Sequence, residues 1–213
     1  MEIDLASLKP ASRYKLLASL VTPRPIAWIT TIDGMGRVNA APFSFFNVFG
    51  SDPALVAFAP GNRQGAKNGE AAILKDTARN IRETHEFVIH LVTPNLTSAM
   101  VTTAKSLPPG ESELDAAHLT TTPSLCVSPP RITQASVALE CTEYQTIEIG
   151  SNRLTLGIVQ HLHVADELIE PETLHIDSTS WQPIGRMASP DWYCRTDLEG
   201  SLFQESRVLV YTN

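Results

Sequence analysis

Hydrophobic and polar positions change period several times along the chain, and each change predicts an element. Residues 12 to 21, SRYKLLASLV, place Tyr14, Leu17 and Val21 at helical spacing behind a capping Ser12, a short amphipathic helix stopped by Pro23 and Pro25. PIAWITTI then alternates, with Ile26, Trp28, Thr30 and Ile32 on one face and Ala27, Ile29 and Thr31 on the other, which is the period of a strand. Asp33-Gly34-Met35-Gly36 turns the chain, and residues 37 to 41 return toward Pro42 as the second arm of a hairpin. ALVAFA at 54 to 59, held between Pro53 and Pro60, predicts a buried strand. Residues 76 to 85 predict a helix capped by Asp76 or Thr77, with Ala78, Ile81 and His85 along one stripe, and EFVIHLV at 86 to 92 predicts a further strand. A short helix is expected at 94 to 104, with Pro94 early in it.

The stretch 105 to 134 is rich in Pro, Ser and Thr and predicts long excursions around at most one short helix. Residues 135 to 149 and 153 to 168 predict two strands flanking the turn Gly150-Ser151-Asn152, and RVLVYT at 207 to 212 predicts a terminal strand. No repeat and no flexible linker interrupts them. The fold class expected is therefore mainly β, one antiparallel barrel with short helical inserts, in a single domain over 1–213.

Composition narrows the chemistry. The 213 residues carry a net charge of −7, so a basic nucleic-acid footprint has no support, while a small anionic ligand needs only a few local cations. The 15 prolines against 11 glycines fit a chain of short elements and shaped turns. Cys126, Cys141 and Cys194 form no CxxC pair, and neither a zinc site nor a disulfide framework is expected. The start MEIDLASLKP lacks the basic and apolar regions of a signal peptide, and no apolar run approaches the ~20 residues of a membrane span, so the expectation is a cytoplasmic protein with no membrane contact.

Two glycine clusters fail as phosphate loops. Gly34-Met35-Gly36 leads into NAAPFS, which cannot open a helix cleanly, and GNRQGAK at 61 to 67 lacks the Walker ending. A more specific signal is the stretch TPRPIAWITTIDGMGRVNAAPFSFFN from Thr22 to Asn47. It is followed in order by Lys75-Asp76-Thr77 with Asn80 and Ile81, EFVIHLV, SPPRI at 128 to 132, Leu139-Glu140-Cys141, Leu156-Gly157-Ile158-Val159 and Pro183-Ile184-Gly185-Arg186. Over residues 12 to 195 this series resembles the flavin reductase-like family of FMN-binding split barrels; the tail 196–213 lies outside the resemblance.

The resemblance implies an antiparallel split β-barrel that binds FMN, with NADH or NADPH as hydride donor and free flavin, a small acceptor or a partner protein as electron acceptor. It also implies a homodimer with each flavin cleft near the subunit interface, and no metal. The flavin would be lined by Thr30 and Thr31 and by the hairpin return. There Asn39 and Ser44 offer hydrogen bonds, small Ala40 and Ala41 permit close backbone approach, and Phe43, Phe45 or Phe46 supply an aromatic wall or ordinary core. Lys75 would neutralise the phosphate at a helix start, with Thr77 donating and Asp76 capping the helix or orienting the lysine; the alternative is a capped surface helix with a solvated lysine. Arg24 and Arg186 are second cations or salt-bridge formers. His161 and His163, two apart on one strand face, are candidates for the nicotinamide side, or else partly buried histidines. Two rival readings are an electron carrier reduced by another protein and a pyridoxamine phosphate oxidase-like enzyme.

Overall fold

The structure, a computed structural model, describes residues 1–61, 74–105, 112–188 and 192–196. β1 (Ala27–Ile32) pairs antiparallel with β2 (Val38–Phe43), as the alternation predicts, and the turn between them is organised by Asp33, whose carboxylate accepts from the Met35 and Arg37 N–H groups at 2.9 Å each. β2 runs through Pro42, which the ladder tolerates because β2 is an edge strand. After a two-residue link come β3 (Phe46–Ser51) and β4 (Ala54–Phe58), then β5 (Glu86–His90). The short pair β6 (Thr121–Thr122) and β7 (Arg131–Ile132) precedes the two longest strands, β8 (Val137–Ile149) and β9 (Asn152–Val164).

Seven strands make one antiparallel sheet in the order β2-β1-β5-β8-β9-β4-β3. Its two edge strands are consecutive in sequence, joined only by Ser44 and Phe45, a link that spans at most roughly 11 Å. The sheet must therefore curl until its edges nearly meet, yet no ladder joins β2 to β3, and the result is a split barrel.

Alternation along β1 feeds two cores. Ile26 and Trp28 pack with Val92, Leu96, Met100, Leu114 and Ile132, while Ala27 and Ile29 pack with Phe43, Phe46, Phe58, Phe87 and Ile81. In the second core Gly157 leaves room for the Phe87 ring, since a Cβ there would lie 2.4 Å from Phe87 Cζ.

Among the described residues four α-helices surround the sheet: α1 (Pro10–Leu20), α2 (Asp76–Thr84), α3 (Thr97–Thr103) and α4 (Glu113–Ala116). α1 begins two residues before Ser12, with Pro10 in the first turn where its missing N–H is harmless. Its expected stripe is uncovered: Tyr14, Leu17 and Val21 are exposed and Ala18 is the buried residue, because the helix rests on the fold through its small side chain. α2 matches the expected helix, but Lys75 is its N-cap and His85 closes it in the left-handed region at φ 58° rather than continuing the buried stripe. β3 is a strand the pattern did not predict, and the strand predicted at 207 to 212 lies outside the described residues. No helix among the described residues is long and apolar enough to cross a membrane.

Candidate functional site

The register of β1 divides the sequence-picked residues between two faces. Thr31, Asn39, Ala41 and Phe43 share the face of Ala27 and Ile29, while Thr30 and Ala40 occupy the other. Thr30 is fully buried and donates its hydroxyl to the Pro130 carbonyl at 2.7 Å. Thr31 faces α2. There Asn80 Nδ2 donates to Thr31 Oγ1 at 3.0 Å, and Asn39 Nδ2 donates to Thr77 Oγ1 at 3.0 Å and approaches Thr31 Oγ1 at 3.5 Å. Thr31, Thr77 and Asn80 are buried, Asn39 is half-buried, and the Asn80 Oδ1 atom has no partner among the described residues. A buried carbonyl left without a donor is uncommon and marks a polar cluster that no donor among the described residues completes.

Lys75 caps this cluster at the start of α2. Its Nζ lies 5.5 Å from the Phe43 ring centroid, and although the residue keeps an exposed surface, desolvation of its ammonium draws the pKa below the ordinary lysine value. Asp76 pairs with Arg79 at 2.7 Å, within the first turn. Of the three phenylalanines, Phe43 and Phe46 belong to the second core, and Phe45 is 43% exposed. Ser44 lies 3.4 Å from Arg24 Nε.

Arg24 is buried and Arg186 is half-buried, and their backbones exchange two hydrogen bonds, 2.9 Å and 2.8 Å long. The Arg186 guanidinium reaches Tyr193, donating to its hydroxyl at 2.6 Å with the ring centroid 4.8 Å away. Arg24, not Arg186, is the cation that the described contacts bring to Ser44 and Phe45.

His161 and His163 lie together, ring centroids 4.6 Å apart, on the sheet face of Thr30 and opposite that of Thr31. His163 Nε2 is 2.5 Å from Glu140 Oε1. That buried carboxylate also accepts from the Leu125 and Cys126 N–H groups at 2.9 Å and 2.6 Å. Burial raises the Glu140 pKa, but the two N–H groups and His163 together outweigh it and hold the carboxyl below its usual range. Next to it His90 is fully buried and neutral: Ile132 N–H donates to Nε2 at 2.9 Å, so the proton sits on Nδ1 and goes to the Trp28 carbonyl at 2.9 Å. Burial lowers the His90 pKa to about 4.

A sequence profile described as "Flavin reductase like domain" matches residues 19–181. The chain belongs to the flavin reductase-like family. Its described fold is similar to that of nitrilotriacetate monooxygenase component B from Bacillus cereus, with 31% identity, a TM-score of 0.85, and 96% of this chain and 98% of that one covered. It is also similar to 2-nitrobenzoate 2-nitroreductase NbaA from Pseudomonas fluorescens, with 33% identity, a TM-score of 0.82 and 95% of both chains covered. A Deinococcus radiodurans protein is 39% identical over 199 residues, 91% of this chain and 85% of its own length.

In this flavin reductase-like chain two residues outside the sequence-picked site organise the two polar clusters: Asn80 on the Thr31 face and Glu140 on the other. Asn80 had a local signal. It lies on the inward stripe of α2 between Ala78 and Ile81, where an amide must find polar partners. Glu140 had a weaker one, an acidic residue inside the apolar alternation of β8.

Proposed function

We propose that this chain binds FMN in the cleft beside α2 and works as an NAD(P)H-dependent flavin oxidoreductase, delivering electrons to free flavin or another acceptor. The observation that carries the reading is the arrangement at the start of α2: a partly desolvated lysine, a helix N-terminus and a hydroxyl–amide cluster left one partner short. A flavin mononucleotide has complementary groups, a dianionic phosphate, a polyol and an apolar ring with a polar edge. Lys75 would meet the phosphate together with N–H groups of the first turn of α2. Thr31, Asn39 and Thr77 would orient the polyol, and the exposed ring of Phe45 would shield the isoalloxazine from water. A flavin held there would supply the redox chemistry for moving electrons from a nicotinamide to an acceptor. The residues contribute binding, orientation and water exclusion.

Family membership and the similarity to a monooxygenase component and a nitroreductase support an oxidoreductase role. Tyr14, Leu17 and Leu20 of α1 and its C-cap Val21 are exposed apolar residues, Tyr14 meets the Phe45 ring at 5.9 Å, and Val48 and Phe49 of β3 are exposed as well. A second copy covering this surface would make the protein a homodimer with the Phe45 wall at its interface. Three free thiols suit a reducing, cytoplasmic setting.

The deciding experiment is an anaerobic titration. The purified protein should bind FMN and turn yellow, and NADH or NADPH should bleach the bound flavin. A colourless protein that takes up no FMN would refute the reading. Retained flavin that neither nucleotide bleaches would refute the NAD(P)H step and favour the carrier instead.

A further inference from the structure

Arg24 is 6% exposed, and no carboxylate among the described residues pairs with it. Its guanidinium instead binds carbonyls. Nη1 donates to Ala18 and, at 2.8 Å, to Val21, at the C-terminal end of α1, where the helix dipole concentrates partial negative charge. Nη2 reaches the Met187 carbonyl at 3.3 Å, and Nε faces Ser44 Oγ at 3.4 Å. The guanidinium carbon lies 5.8 Å from the centroid of the Phe45 ring, which Tyr14 of α1 contacts as well. The neighbouring backbone is fixed too: Arg24 and Arg186 exchange two hydrogen bonds, and Gly185 sits so close that a Cβ would lie 2.8 Å from Pro23 Cβ. One planar fork thus joins the end of α1, the segment 185–187 and the Ser44–Phe45 link between the sheet edges.

We propose that Arg24 is a positioning residue for the flavin, holding Phe45 in place as the cleft wall without itself meeting the phosphate. The inference rests on the flavin reading and deepens it. A cation that met the phosphate would favour FMN over riboflavin. A buried cation acting through Phe45 cannot distinguish the two, because they share the ring.

The test titrates FMN and riboflavin into the wild type, Arg24→Lys, Arg24→Met, Phe45→Ala and the Arg24→Lys/Phe45→Ala pair, with Lys75→Ala as the contrast. Lysine keeps the charge but not the fork, so Arg24→Lys should weaken both flavins equally, by about tenfold, and change the absorbance of the bound ring. In the Phe45→Ala background the same change should cost less than about twofold, since its effect passes through that ring. Lys75→Ala should weaken FMN alone. A loss selective for FMN in Arg24→Lys, an undiminished loss without Phe45, or unchanged affinity and absorbance would each overturn the proposal. If Arg24→Met does not fold, Arg24→Lys carries the comparison. Wild type that binds neither flavin refutes the flavin reading, whereas failure confined to the Arg24 variants' expected pattern refutes this inference alone.

Discussion

On one face of β1 the buried polar side chains bond mostly to backbone; on the other they bond to one another. Thr30 holds the Pro130 carbonyl, His90 bridges the Trp28 carbonyl and the Ile132 N–H, and Glu140 gathers the N–H groups of Leu125 and Cys126. Each of these clamps the segment 125–132 onto the sheet through a backbone partner, and Arg131 Nε of that segment is a buried donor left open among the described residues. Across β1, Thr31, Asn39, Thr77 and Asn80 form a cluster of hydroxyls and amides in which Asn80 Oδ1 finds no donor among the described residues. Bonding to backbone is how a fold settles a buried polar group, and under the proposed function the open Asn80 oxygen is where a bound polyol would add the missing donor.

The largest effect expected is on the backbone-bonded face. Glu140→Ala strands two N–H groups and His163, and should lower stability by about 3 kcal/mol in urea denaturation while the folded protein keeps its FMN affinity. A large loss of affinity with little loss of stability would reverse the assignment of the two faces.

Acid provides the next test. Because the folded His90 has a pKa of about 4 against 6.5 for the free side chain, its contribution is intact above about pH 6.5 and fades as pH falls toward 4, since the unfolded chain takes up the proton first. Between about pH 7 and about pH 5 this should remove about 2 kcal/mol. His90→Gln should flatten that part of the stability profile, and an identical profile in both proteins would remove His90 as its source.

The smallest effect should fall on the open face. Thr77→Val keeps the shape and deletes the hydroxyl, so stability should change by less than about 1 kcal/mol while FMN binds about fivefold more weakly. Unchanged affinity in a titration would place this cluster in the same structural class as the other.

The sequence pattern exposed most of what is regular here. β1 and β5 were legible as short strand-like runs buried on both faces, α2 by its helically spaced buried residues, and the β8–β9 pair by two long strand-like runs flanking a turn. β3 was not, since only Phe46 at its start is buried and the exposed Asn47, Val48 and Phe49 leave no inward and outward alternation to read. The stripe of α1 was legible as a pattern but not as a contact, because amphipathicity does not say which surface covers it. At the candidate site, Lys75, Thr77 and Asn39 could be picked out from residue chemistry and resemblance. The role of Asn80 depends on Thr31, 49 residues away in sequence, and that of Arg24 on Met187, 163 residues away. Distances of that kind are set only when the sheet curls.

The Ser44–Phe45 link turns an open sequence of strands into a ring with one covalent rung among hydrogen-bonded ones. A hydrogen-bonded rung can slip or fray independently, but this one has a fixed contour length. The width of the gap between the sheet edges is therefore capped by two residues of chain. Lengthening that tether by even one residue would widen the limit on that gap directly, as adding a link to a belt changes its girth.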